Sequence, residues 1–182
     1  IYFKTTYLLK SNKFKLPLLD KLNLDLIIMY KDSIHVLTRA VVIDQDNILL
    51  CKTLDLPINF YFLPGGHVEH SESAASALIR ELSEETGVRN VQIKRFLGIL
   101  EHSFAPGFNS ICHNHEYNLI FEVASEKLKI NNEITQIEDH IQILWMPVKD
   151  IIDIDFRPEP LKNLIVKWLE RDYNYSFHSK ME

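Results

Sequence analysis

The 182-residue sequence has little cysteine and little glycine, two and five residues respectively. Cys51 and Cys112 cannot form the disulfide framework that holds many small secreted domains together, so we expect a reducing, cytoplasmic setting. Stability must then come from a hydrophobic core. A chain of this length with 46% hydrophobic residues can bury one such core, which predicts a single domain.

Long apolar runs and an excess of positive charge are also missing. The most apolar stretch, residues 16–30, contains Asp20, Lys21 and Asp25, and it is too short and too charged to cross a bilayer. It also lacks the small-residue cleavage site of a secretory signal. The net charge of −5 makes a general nucleic-acid-binding surface unexpected, although residues 1–28 carry more lysine than aspartate.

Apolar and β-branched segments, separated by turn residues, predict six strands. We place them at residues 34–44, 48–53, 60–62, 90–100, 115–124 and 141–147. Apolar residues at helical spacing predict two helices, one that starts near Ser71 and one within residues 158–172. Each helix has one apolar face that can cover a sheet, so we expect a mixed α/β sandwich.

The first helix has an expected start, end and buried face. Ser71 is a suitable N-cap, and Gly87 suits the left-handed residue that closes a helix. The predicted buried stripe consists of Ala75, Leu78, Ile79 and Leu82.

Three parts of the chain differ in pattern. Residues 1–28 fit the sandwich poorly and are expected to form an N-terminal extension; an ordinary strand and helix packed on the core is the alternative, and both stay open. Residues 29–175 are expected to form the domain, and residues 176–182 a C-terminal tail.

Negative charge is concentrated in residues 65–88, where five glutamates accompany a Gly-Gly turn. On a helix, Glu81 faces both Glu84 and Glu85, which is unfavourable by about 0.2–0.5 kcal/mol per pair. These residues also lie towards the C-terminal end of the helix, where the helix dipole disfavours anions. Arg80 supplies one positive charge only, so the pattern predicts a bound divalent cation. A solvated acidic helix face is the alternative.

Mg²⁺ is the expected ion and Mn²⁺ the second choice, because carboxylate oxygens on a rigid helix suit both. Gly65 and Gly66 lack side chains, so their backbone can approach a metal or a phosphate closely. Together these features predict a site that holds metal-bridged phosphates and activates a water molecule.

The spacing of these residues resembles the Nudix box. The matching positions are Gly66, Glu72, Arg80, Glu81, Leu82, Glu84, Glu85, Gly87 and Val88. The resemblance implies a Nudix-type α/β/α sandwich with a mixed β-sheet between helices. It also implies Mg²⁺-dependent hydrolysis of a nucleoside diphosphate that is linked to another moiety.

The resemblance also implies roles for individual residues. Glu81, Glu84 and Glu85 would be the metal ligands, with the carbonyl of Gly65 nearby. Arg80 would orient a catalytic glutamate through a salt bridge, so Arg80, Glu81 and Glu84 are the expected catalytic residues of the motif.

A general base is expected either among the glutamates of the motif or in a later loop. Glu138 and Asp139 are the loop candidates, and ordinary loop acids are the alternative. The resemblance implies that Glu72 would support catalysis through a water molecule or through Arg80. The alternative is that Glu72 lies in the first helical turn only because the helix dipole favours an acidic residue there.

Substrate recognition is expected mainly outside the motif. The substrate-binding candidates are Arg39, Tyr61, Gly66, Phe104 and His115. Arg39 could reach a phosphate and the aromatic rings could stack on a base, while packing in the core is the alternative for most aromatic residues. A zinc site at Cys112, His113 and His115 lacks a fourth ligand at the usual spacing.

The leading prediction is a Mg²⁺-dependent pyrophosphohydrolase that acts on a nucleotide, ADP-ribose or a nucleotide sugar by means of a metal-activated water. A Nudix-fold sensor or interaction module without turnover and an RNA 5′-end pyrophosphohydrolase are the alternatives. The expected partner is a small nucleotide, with no membrane; nucleic acid is unexpected, and a homodimer is left open. A Ca²⁺ module is disfavoured because the acids of an EF-hand alternate along a loop.

Overall fold

The computed structural model describes residues 34–54, 56, 58–104 and 114–181. The expectations for residues 1–28, Cys112 and His113 lie outside the described residues. In the described part of the chain, no helix is long and apolar enough to cross a membrane.

The described residues contain seven strands and two α-helices. The strands are β1 (Ile34–Asp44), β2 (Asn47–Thr53), β3 (Tyr61–Phe62), β4 (Gln92–Ser103), β5 (His115–Ala124), β6 (Ile141–Pro147) and β7 (Phe177–Lys180). The helices are α1 (Ala74–Thr86) and α2 (Leu161–Leu169), and 3-10 turns cover Val148–Asp153 and Tyr173–Tyr175. All six predicted strands are present. The expected tail at residues 176–182 instead contributes β7, whose four residues are too few for a recognisable alternating pattern.

The strands form one mixed sheet. Their order is β3-β2-β1-β5-β4-β7, and β6 pairs with β2. β1 pairs with β5 in parallel, as β4 does with β7, and the other pairs are antiparallel. Gln45 and Asp46 both have positive φ, as the tight hairpin turn between β1 and β2 requires.

Two hydrophobic layers lie on opposite faces of the sheet. One contains Val41, Leu100, Ile120 and Trp168 and packs under α2. The other contains Ala40, Val42, Leu78, Leu82 and Val123 and packs under α1. Neighbouring residues of β1 enter different layers because successive side chains of a strand point to opposite faces. The predicted α/β/α sandwich is confirmed.

Helix α1 begins two residues later than expected. Ser73, in extended conformation, is the N-cap, and its Oγ accepts a hydrogen bond from the Ser76 N–H at 3.1 Å. Ser71 has a φ of 65° in the preceding turn. Gly87 closes the helix as predicted, with a φ of 72°.

The buried face of α1 also differs from the predicted stripe. Leu78 and Leu82 are fully buried, whereas Ala75 and Ile79 are exposed. Glu85 takes a buried place instead, with only 4% of its surface exposed. The apolar pattern misplaced this face because the helix turns a glutamate towards the sheet.

Candidate active site

The Gly-Gly turn lies along the edge of β1. Residues 64–68 run antiparallel to the strand, since the Thr38 N–H donates to the Gly66 carbonyl at 2.8 Å and the Val68 N–H donates to the Val36 carbonyl at 2.9 Å. The turn is therefore fixed against the sheet by backbone hydrogen bonds.

Each glycine of the turn lies against a group that leaves no space for a side chain. Gly65 has a φ of 124°, and a Cβ there would lie 2.2 Å from the Thr38 carbonyl oxygen. A Cβ on Gly66 would lie 2.4–2.5 Å from the carboxylate atoms of Glu81. Gly66 thus allows a glutamate of α1 to reach the turn.

Arg80 connects the glutamates of the motif. Its guanidinium forms two hydrogen bonds with Glu72, at 3.1 and 3.0 Å, and donates to Glu81 at 2.8 Å and Glu84 at 3.3 Å. Nη2 also donates to the His67 carbonyl at 2.9 Å. The hydrogen bonds with Arg80 lower the pKa of the Glu72 carboxyl, and those with Glu72 raise the pKa of Arg80.

Glu81 and Glu85 are partly or fully removed from water. Burial raises the pKa of Glu81 against the opposing hydrogen bond from Arg80. Burial also raises the pKa of Glu85 to about 8, although Arg39 and the Gly65 N–H, which donates to Glu85 at 3.1 Å, act in the opposite direction. The site therefore holds desolvated carboxylates with few cations to neutralise them.

Cys51 lies beneath this site on β2. Its thiol is fully buried, and burial, followed by the nearby charge of Glu85, raises the pKa of Cys51. The sequence offered no sign that Cys51 lies near Glu85.

The donor atoms at this site suit a hard divalent cation. Glu81, Glu84 and Glu85 project from one helix, with Glu81 against Gly66 and Glu85 hydrogen-bonded to the Gly65 N–H, and their donor atoms are all oxygens. Within the described residues, no three His, Cys, Asp or Glu side chains already form a closed metal-binding set. Arg80 instead bonds to oxygens of Glu81 and Glu84. The residues fit Mg²⁺ or Mn²⁺ by donor chemistry, and binding would require Arg80 to release some of these oxygens.

Arg39 reaches the site from β1. Its Nη1 donates to the carbonyls of Gly65 and Leu63, the latter at 3.2 Å, and its Cζ lies 5.7 Å from the centroid of the Phe62 ring. The positive charge of the guanidinium opposes the rise in the pKa of Glu85 that burial causes. Of the substrate-binding candidates, Arg39 and Gly66 are brought to the carboxylates.

The loop that carries Glu138 also contacts α1. The Ile137 N–H donates to the Glu85 carbonyl at 3.3 Å. Glu138 lies near enough for its charge to raise the pKa of Glu85, and it pairs with His140 at 3.2 Å. The structure therefore brings this general-base candidate to the motif.

The other candidates lie in different surroundings. Tyr61 packs against the hydrophobic layer under α2, with Lys52 Nζ 5.5 Å from its ring centroid. His115 lies 3.5 Å from Glu101, and its ring centroid is 5.4 Å from that of Tyr117. These residues pack separately from the carboxylate site.

A second polar group was missed by the sequence argument. It comprises His35, His67, His102, Glu116 and Asn118, on β1, the Gly-Gly turn, β4 and β5. Glu116 and Asn118 are both buried in β5, between the residues whose apolar alternation drew attention to the other face. Two polar residues at alternate positions, Glu116 and Asn118, were the available signal.

Comparison with known proteins identifies the family. The model of the NUDIX domain matches residues 34–169, so the chain belongs to the Nudix hydrolase family. It is 26% identical over 134 residues to an RNA pyrophosphohydrolase of Pelagibacter ubique, a match that covers 68% of this chain and 84% of that protein.

One further sequence relative and one solved structure are also similar to this chain. The chain is 33% identical over 99 residues to an ADP-ribose pyrophosphatase of Methanocaldococcus jannaschii, which covers 53% of this chain and 56% of the archaeal protein. The crystal structure of a MutT protein from Methanosarcina mazei superposes with a TM-score of 0.59 at 17% identity, over 76% of this chain and 95% of that one. The chain thus spans little more than half the length of its archaeal relative, and the structural match supports the fold alone.

Proposed function

We propose that this chain is a divalent-metal-dependent pyrophosphohydrolase that cleaves the diphosphate linkage of a nucleoside diphosphate derivative. The observation that carries this proposal is that Glu81 and Glu85 reach the Gly65–Gly66 turn, while Arg80 holds Glu84 beside Glu81. Few positively charged groups neutralise these carboxylates, so the site suits a divalent cation and the phosphates bound to it.

Mg²⁺, held by Glu81, Glu84, Glu85 and the carbonyl of Gly65, would supply charge neutralisation for the pyrophosphate oxygens and a lowered pKa for the attacking water. The remaining contributions come from the chain itself. Arg80 holds the carboxylates in a fixed orientation, and the bare backbone of Gly66 lets Glu81 approach the turn.

The chemical step is displacement at phosphorus. A water oxygen attacks, the bond from phosphorus to the bridging oxygen breaks, and the leaving phosphate keeps the electron pair. The proton of the water passes to a carboxylate. We assign this role to Glu84, whose side chain is 51% exposed and whose contact with Arg80, at 3.3 Å, is longer than that of Glu81. Glu138 is the second candidate.

The names of two relatives support the reaction class and leave the substrate open, since one is an RNA pyrophosphohydrolase and the other an ADP-ribose pyrophosphatase. A small nucleotide as the partner and a cytoplasmic setting remain part of this proposal, and a homodimer is left open.

Product analysis on a substrate panel tests the proposal. The chain is incubated with Mg²⁺ and ADP-ribose, NADH, dinucleoside polyphosphates, nucleotide sugars, nucleoside triphosphates or a short 5′-triphosphorylated RNA. We expect cleavage of one class that is abolished by EDTA and reduced at least about 100-fold in Glu84→Gln.

Glu69→Gln is the matched control, because Glu69 is an exposed glutamate of the same segment and the charge change is identical. It should retain activity. Nucleotide binding without turnover of any substrate would favour the sensor alternative, and cleavage of the RNA alone would favour the RNA 5′-end alternative.

A further inference from the structure

Strand β5 is buried on its more polar side and partly exposed on its more apolar side. The set of β5 side chains that includes Ile120 lies in the layer under α2 and is buried, although Glu116 and Asn118 belong to the same set. Leu119 and Phe121 point to the opposite face and are partly exposed. A sheet normally buries its apolar side chains and exposes its polar ones. The described residues therefore leave an apolar part of the sheet incompletely covered.

This partly exposed face extends across four neighbouring strands, β1, β5, β4 and β7. Residues that pair in register share a face. Ile34, Phe96 and Phe177 of this face are 56%, 45% and 55% exposed. We call the following apolar residues the open face: Ile34, Val36, Phe96, Ile99, Leu119 and Phe177. An exposed apolar patch over several strands marks a surface that another segment or a partner covers.

Helix α1 covers the adjoining part of the sheet. The hydrophobic layer under α1 contains Ala40 and Val123 and reaches Phe121. Within residues 34–54, 56, 58–104 and 114–181, Leu119 and Ile99 belong to neither of the two hydrophobic layers. The open face thus begins where the cover by α1 ends.

The polar groups beside the open face are already paired. Glu101 accepts hydrogen bonds from the hydroxyl groups of Tyr117 and Ser179, at 2.6 Å from the latter. A covering segment therefore needs no polar partner for these residues, and apolar side chains are sufficient.

The sequence before β1 contains a segment suited to this surface. Residues 18–30 lie outside the described residues, and their sequence has apolar side chains at helical spacing. The stripe consists of Leu19, Leu22, Leu26 and Met29. Asp20 and Lys21 fall away from this stripe, and Pro17 suits the first turn of a helix. The pattern predicts an amphipathic helix.

Length and connection favour this segment over a separate partner. Tyr30 precedes Ile34, the first residue of β1, by four positions, which span at most about 14 Å. As a helix, residues 18–30 would be about 20 Å long. Four neighbouring strands are about 14 Å across, so such a helix can cross all of them. The short connection also gives the segment a high effective concentration at the open face.

We propose that residues 18–30 form an amphipathic helix whose apolar stripe packs on the open face, beside α1. The inference selects the packed alternative for these residues over a separate N-terminal extension. It does not depend on the proposed function.

Hydrogen–deuterium exchange of the full chain, read by mass spectrometry, tests this inference. Amides of residues 18–30 should exchange at least about tenfold more slowly than unstructured amides of the same sequence. Leu22→Asp should remove this protection, because it places a charge in the apolar stripe. Leu24→Asp is the matched control, since Leu24 falls on the opposite side of the predicted helix, and it should retain the protection. Exchange at the unstructured rate in the unaltered chain would overturn the inference.

A substitution in the sheet tests whether the segment packs on the open face. Phe96→Asp should also remove the protection of residues 18–30. Ile152→Asp is the control, because Ile152 is an exposed apolar residue of the 3-10 turn after β6. Circular dichroism checks that both variants fold, and the Leu22 and Leu24 variants decide the matter if Phe96→Asp does not. Protection that survives in folded Phe96→Asp would overturn the inference.

Sedimentation velocity distinguishes the segment from a second copy of the chain. A dimer that Phe96→Asp dissociates, with unprotected amides in residues 18–30, would assign the open face to a second copy and overturn the inference. Loss of protection in Phe96→Asp without a change of oligomeric state would support it.

Discussion

At the scale of single residues, Arg80 and Gly66 determine how the carboxylates meet. Arg80 balances part of the charge of Glu72, Glu81 and Glu84 by direct contacts. Gly66 leaves the space into which Glu81 projects. The arginine fixes these carboxylates relative to one another, and the glycine allows Glu81 to reach the turn.

Alanine substitutions in the Gly-Gly turn should separate function from folding. In Gly66→Ala, the new methyl group would meet the flexible end of Glu81, so we expect weaker Mg²⁺ binding and a small loss of stability. In Gly65→Ala, the methyl group would meet the Thr38 carbonyl in a backbone conformation that favours glycine, so the fold itself should be destabilised by more than about 1 kcal/mol.

Urea denaturation in EDTA and Mg²⁺ titration by calorimetry would measure the two effects. Equal loss of stability in both variants, or unchanged Mg²⁺ affinity in Gly66→Ala, would contradict this role of Gly66.

The sequence motif predicted which residues contact Arg80, and the roles of these residues stay predictions. The Arg80 salt bridges were expected from the motif, and the structure places Arg39 and Glu138 by the same site. The sequence could not reveal that Cys51 lies near Glu85, because their proximity depends on how α1 packs over β2. Glu116 was overlooked because the opposite face of β5 has the clearer apolar pattern.

At the scale of elements, α1 is capped at both ends, and one of its glutamates is part of its buried face. Ser73 caps its start, Gly87 closes its end, and Glu85 occupies part of its buried face. The end was predictable because a glycine stands alone there. Ser71 and Ser73 both suit an N-cap, and only the path of the preceding turn decides between them.

Loss of the cap should therefore depend on which serine is replaced. Ser73→Ala removes the hydrogen bond to the Ser76 N–H and should lower the free energy of unfolding by about 1 kcal/mol. Ser71→Ala is the control and should have a smaller effect. Thermal denaturation of both variants measures the difference, and a larger loss in Ser71→Ala would contradict the assigned helix start.

At the scale of the whole molecule, the sandwich places α1 and its glutamates on one layer and α2 on the other. Alternation and helical spacing predicted a mixed α/β sandwich, and the resemblance to the Nudix box implied that helices lie on both faces of the sheet. Strand β7 was not predictable, since its place at the sheet edge depends on β4 being available as a partner. The polar group formed by His35, His102 and Glu116 likewise exists only after β1, β4 and β5 have paired.

The stability of the metal-free molecule should fall as the pH rises from about 4.3 to 8. Burial raises the pKa of Glu85 to about 8, so over this range the folded chain retains a proton that the unfolded chain releases. The stabilisation is fully present below about pH 4.3, the ordinary pKa of Glu, and is lost as the pH rises through the folded-state value, with a slope of at most about 1.4 kcal/mol per pH unit.

Urea denaturation in EDTA at several pH values would measure this slope. Glu85→Gln cannot titrate and should show a flatter dependence. Parallel pH profiles for the two proteins would contradict a buried, proton-binding Glu85.

In the proposed reaction, water attacks a phosphorus of a nucleotide pyrophosphate at the Glu81–Glu84–Glu85 site. Mass spectrometry of products formed in ¹⁸O-labelled water with Mg²⁺ and the nucleotide panel can detect this attack. We predict a phosphate-containing product that gains one ¹⁸O, in a reaction abolished by EDTA and largely lost in Glu84→Gln. Cleavage without ¹⁸O in a phosphate product, or turnover unaffected by Glu84→Gln, would contradict the account.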